Sequence, residues 1–101
     1  MKQKPVTNKP QKSETKVFDF TKMKVLNIMD EVETVDYSKT LGNIIYNTTP
    51  YLGALDKARE IFHTGKTELT LMEMNYFQSL FQESIAVPAA LKITLQDFLK
   101  F

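Results

Sequence analysis

The sequence predicts an α+β fold, with a small antiparallel hairpin or three-stranded sheet and three to four helices packed on it. Three observations lead there. Residues 16–38, KVFDFTKMKVLNIMDEVETVDYS, are rich in β-branched and aromatic side chains. From Asp36 onward the apolar residues recur at helical rather than alternating spacing. Pro50, Gly65 and Pro88 then divide the remainder into lengths suited to single helices.

The first segment, MKQKPVTNKPQKSETK, has two prolines and almost nothing to bury. Such a stretch cannot offset its ordering entropy and is expected to be disordered. The expected division is therefore a basic tail over 1–16 and a single small domain over 17–101. Lys2, Lys4, Lys9, Lys12 and Lys16 against Glu14 give the tail a charge of +4, which leaves the body at −3. These lysines form a candidate electrostatic arm for nucleic acid or an acidic partner. An acidic body argues against a nucleic-acid-binding domain as such, because duplex affinity comes largely from neutralising phosphates.

In the next segment alternation is partial. Leu26 and Ile28 share one face, and Val32, Thr34 and Asp36 another. Asp30-Glu31 is the expected reversal, although it lacks the glycine that tight hairpins favour. Two or three short antiparallel strands follow from this pattern.

Tyr37, Leu41, Ile44, Ile45 and Thr48 then fall on one helical face, with Asp36 or Ser38 placed to cap its start. Gly42 inside this helix costs about 1 kcal/mol relative to alanine, so close backbone packing is expected there. Pro50 ends the helix by excluding the residue before it from the α region. A second helix over 53–64 buries Leu55, Ala58, Ile61 and Phe62.

Gly65-Lys66-Thr67 has the ending of a phosphate-binding loop. That motif requires a first glycine where Glu60 stands, and a strand before the loop rather than a helix. Gly65 is instead expected to stop the helix in a left-handed cap. Glu68 and Leu69 are read as a brief extended segment. Thr70 followed by Glu73 is a capping box opening a helix that buries Met74, Phe77, Leu80 and Phe81. Pro88 suits the first turn of a last helix with the stripe Leu91, Leu95 and Phe98.

Little of this carries chemistry. With no cysteine, disulfides, thiolate metal sites and thiol nucleophiles are excluded. His63 is the single histidine and is read as a surface residue near a helix C-terminus. Asp30, Glu31, Glu33 and Asp36 lack the spacing of a calcium loop and are read as a solvated acidic turn. No serine sits in a nucleophile elbow. The expectation is a protein that is not an enzyme, with no cofactor and no metal. The longest unbroken apolar run has seven residues, so no membrane span is expected. The absence of a secretory h-region points to a cytoplasmic location.

In residues 71–101, 18 of 31 are apolar, against 43% overall. That surplus suggests apolar surface meeting something else. Ile93, Leu99 and Phe101 lie off the Leu91, Leu95, Phe98 stripe and are the candidate interface, with a protein partner or a homodimer as its occupant.

The stretches SKTLGNIIYNTT, LDKAREIF and GKTELT resemble small uncharacterised proteins of bacteriophage and prophage gene clusters in gut bacteria. The resemblance spans roughly residues 23–85 and implies a structural or assembly role. The expected function is thus a non-enzymatic interaction or assembly protein, phage- or mobile-element-encoded. The alternative is a nucleic-acid-associated accessory or regulatory protein using the basic tail.

Overall fold

The computed structural model describes residues 14–100 and is an α+β fold. Its elements in order are β1 (Thr15–Asp19), β2 (Met23–Leu26), β3 (Val32–Val35), α1 (Ser38–Thr48), α2 (Leu52–Thr64), β4 (Lys66–Thr70), α3 (Leu71–Glu83) and α4 (Ala89–Phe98).

The strands form two separate antiparallel pairs among the described residues. β1 pairs with β4, from Thr15 opposite Thr70 to Asp19 opposite Lys66. Alternation sends Phe18, Thr67 and Leu69 inward, and leaves Val17 and Glu68 on the solvent face. β1 therefore begins at Thr15, inside the segment expected to be tail. Thr15 and Lys16 have strand partners and belong to the folded domain.

β2 and β3 form the expected hairpin, from Met23 opposite Val35 to Leu26 opposite Val32. Its reversal occupies residues 27–31 and is organised by Asn27. The Asn27 Oδ1 accepts from the backbone N–H groups of Met29 (2.8 Å) and Glu31 (3.0 Å). Its Nδ2 donates to Glu33 Oε2 at 2.8 Å. Asp30 takes the left-handed conformation, at φ 61°, that a glycine would otherwise supply.

Two aspartates set the corners around this hairpin in the same way. Asp19 Oδ1 accepts from the Thr21 N–H (3.0 Å) and hydroxyl (2.5 Å). Asp36 Oδ1 accepts from the Ser38 N–H (2.9 Å) and hydroxyl (2.6 Å), which feeds the chain into α1. Asp36 thus acts one residue ahead of the N-cap, Tyr37, whose own side chain makes no capping bond.

α1 and α2 pack closely at Gly42, where an added Cβ would lie 3.0 Å from the Ala58 carbonyl oxygen and 3.1 Å from Phe62. α2 stops at Gly65, which is left-handed at φ 83° and returns its N–H to the Ile61 carbonyl. Lys66 and Thr67 lie in β4, not in a phosphate-binding loop. The Thr67 hydroxyl donates to Glu60 Oε1, and Lys57 Nζ donates to the Glu68 carbonyl, so α2 is tied back along the strand that follows it.

α3 opens with the capping box. The Thr70 hydroxyl accepts from the Glu73 N–H, and the Glu73 carboxylate accepts from the Thr70 N–H. α4 then lies against α3, with Leu91 and Leu95 buried. Gln78 Nε2 donates to the carbonyls of Leu95 and Leu99, and Gln82 Nε2 donates to that of Lys92. These side-chain bonds tie α3 to the C-terminal half of α4 and to the residue that follows it.

The core gathers Phe18, Phe20, Met23, Leu41, Ile45, Ile61, Leu69, Phe77, Phe81, Leu95 and Leu99 from every layer. The core takes up only part of the apolar surplus of the C-terminal third, and Leu71, Met72, Ile85 and Ile93 stay exposed. Leu99, expected to face outward, is 2% exposed and belongs to this core. The helix stops at Phe98, and the next residue, with its φ of −89° and ψ of 84°, leaves the helical spacing from which an outward direction was inferred.

Candidate interaction surface

The hairpin presents its two faces to different surroundings. Register places Met23, Val25, Glu33 and Val35 on one face, with Met23 fully buried and Val25 packed against the core. The other face carries Lys24, Leu26, Val32 and Thr34 into solvent, and Lys24 Nζ bonds the Thr34 hydroxyl across the pair at 3.2 Å. Beyond it the reversal adds Ile28 and Met29. The result is four large apolar side chains in solvent within seven residues: Leu26 at 58%, Ile28 at 99%, Met29 at 71% and Val32 at 67%.

Carboxylates rim this apolar end. Asp30, Glu31 and Glu33 are exposed beside it, and among the described residues the one ion pair, Lys100 with Asp97, lies elsewhere. Asn27 holds Glu33 and, more loosely at 3.4 Å, Glu31, so the acidic rim is anchored to the turn rather than spread along it. The hairpin tip is therefore a knob, apolar at its end and negative around it.

A concave surface of the opposite character lies between α1 and α2. The groove holds about 250 Å³ and is lined by Gly42, Asn43, Tyr46, Ala58, Arg59, Phe62 and His63. It is open because Gly42 has no side chain and Ala58 a short one, so the two backbones come together and leave a trough above them. Arg59 donates to the Tyr46 hydroxyl at 3.2 Å and lies 5.5 Å from the centre of its ring. That hydroxyl accepts a bond from the charged guanidinium and raises the arginine's pKa further. Lys39 Nζ lies 4.5 Å from the Phe62 ring centre and bonds the Phe62 carbonyl. The floor is apolar, and Arg59 and Lys39 stand at its edge.

The residues singled out from sequence fall elsewhere. Ile93 is 69% exposed on α4. Leu99 is core, and Phe101 lies outside the described residues, so the three do not form one surface. Lys2, Lys4, Lys9 and Lys12 also lie outside the described residues. Lys16 is not part of a free arm: its ammonium bonds the Lys100 carbonyl at 2.8 Å and sits 5.3 Å from the Phe18 ring centre. His63 is exposed on the last turn of α2, edge-on to Phe62. Among the described residues no three His, Asp or Glu side chains converge as metal ligands, and no helix is long and apolar enough to cross a membrane.

Sequence reasoning passed over the hairpin tip. The signal was present in LNIMDE, where Ile28 and Met29 occupy a reversal that ordinarily takes polar residues. Comparisons with protein-family models, curated proteins and solved structures found no match to this chain.

Proposed function

We propose that this protein is a non-enzymatic interaction or assembly protein that engages its partner through the β2–β3 hairpin. The observation that carries this reading is the solvent exposure of Leu26, Ile28, Met29 and Val32 at one end of one element. A domain that buries sixteen apolar side chains in its core has no folding reason to leave these four out together. Covering such side chains stabilises a complex, each contributing at most about 1.5–3 kcal/mol before the costs of association. The resemblance of residues 23–85 to small bacteriophage and prophage proteins supports an assembly role in a phage or mobile element.

A photoreactive amino acid at position 28, with position 83 on α3 as an exposed control, tests the reading in the cells that make the protein. The expected result is a discrete adduct from position 28 and none from position 83. The absence of any adduct from position 28 would remove the proposal.

A further inference from the structure

We infer that the partner is a second copy of this chain, which receives the hairpin tip of one molecule in the α1–α2 groove of the next. The inference rests on the interaction reading above and specifies its partner. Knob and groove match in both respects that decide docking. The tip ends in the apolar side chains of Ile28 and Met29, and the groove floor is formed by Gly42, Ala58 and Phe62. A cavity of roughly 150 Å³ accepts a benzene ring; the groove, at about 250 Å³, has room for a side chain of the size of Ile28 or Met29. The tip is rimmed by Asp30, Glu31 and Glu33, whereas the groove is bordered by Arg59 and Lys39. Opposite charge around an apolar centre favours this register and disfavours tip against tip or groove against groove, where like charges would meet. On the groove's own helix, Asp56 acts on Arg59 and offsets part of its charge, whereas Glu60 is engaged by the Thr67 hydroxyl.

Such a contact is heterologous. Each molecule offers a tip and a groove, and each contact uses one of each. Assembly therefore proceeds head to tail and yields a ring or an open filament according to whether the rotation closes. A symmetric dimer is not its product.

Sedimentation velocity on the full chain and three variants tests this. Ile28→Ser with Met29→Ser removes the tip, and both positions are solvent-exposed, so the fold is retained. Arg59→Glu reverses the groove's rim, and Asn43→Trp fills the groove from an exposed position as an independent variant. The unmutated protein is expected to grow beyond a dimer as concentration rises, and to shrink again in high salt. Each variant alone is expected to be a monomer. A tip variant mixed with a groove variant retains one intact groove and one intact tip, so the mixture is expected to form a one-to-one dimer and stop there. An unmutated protein that stays monomeric at millimolar concentration overturns self-docking, as does a dimer indifferent to both kinds of variant. A tip variant that dissociates but is not rescued by mixing also overturns it. In each of these cases an adduct from position 28 to a different protein leaves the interaction reading intact; only the absence of any adduct removes both.

Discussion

A Cβ placed on Gly42 would stand 3.0 Å from the carbonyl oxygen of Ala58, so α1 and α2 meet backbone to backbone at this point. The contact brings the two helices together and, by leaving no side chain between them, also shapes the groove above. The atom in the way is backbone, which cannot turn aside as a flexible side chain can.

Gly42→Ala should therefore destabilise the protein although alanine is the better helix former. Overpacking costs about 1–3 kcal/mol, and the gain in helix propensity returns about 1 kcal/mol. A net loss of about 1 kcal/mol is expected, read as a lower midpoint in urea with the slope unchanged. A midpoint at or above that of the parent would show that the helices separate without cost.

Thr70→Ala should lower stability by about 1 kcal/mol, because it leaves the Glu73 N–H without its acceptor. Glu73→Ala removes the reciprocal bond to the Thr70 N–H. The two bonds belong to one box, so the double variant should lose less than the sum of the single losses. Strict additivity in thermal melts would mean that the bonds act independently.

Leu99→Ala should cost about 2–5 kcal/mol, as expected for a large side chain removed from a packed core. Ile93→Ala, six residues earlier on the exposed face, should stay within about 0.5 kcal/mol. Equilibrium unfolding of the pair separates a core residue from a surface one. Similar small effects at both positions would restore Leu99 to the surface.

Acid sensitivity should arise in part from Asp19 and Asp36. Hydrogen bonds from the Thr21 and Ser38 hydroxyls hold these carboxylates below the ordinary aspartate value. The unfolded chain therefore takes up protons first as pH falls. The stabilisation is complete above the unfolded value of about 3.9, and is lost as pH drops through the lower folded values. Asp19→Asn with Asp36→Asn should flatten the decline in melting temperature below about pH 4. A decline as steep as the parent's would locate acid sensitivity in other groups.

Several local features were legible in sequence because their causes are local. The Thr70–Glu73 box spans four residues, Gly65 needs only its own freedom at positive φ, and Gly42 announced a close approach by its cost inside a helix. The stripe of Met74, Phe77 and Phe81 follows from helical period alone. The reversal at Asp30 was also legible in position, though not the role of Asn27, whose side chain substitutes for the missing glycine by bonding the turn it precedes.

What sequence by itself determined here is the order of helices, the Thr70 cap and the Gly65 stop, and a hairpin reversing near Asp30. Each depends on residues within a few positions of one another, where propensity and hydrogen bonding act before the chain compacts. Tertiary structure alone decided the rest. The pairing of β1 with β4 joins Thr15 to Thr70 across the whole of α1 and α2, and brought Lys16 out of the expected tail. The burial of Leu99 depends on where α3 places Gln78 and its neighbours. The exposure of Ile28 and Met29 depends on which hairpin face the core covers and where the core ends. A packed interior has finite extent, and only the three-dimensional arrangement decides which apolar residues it reaches.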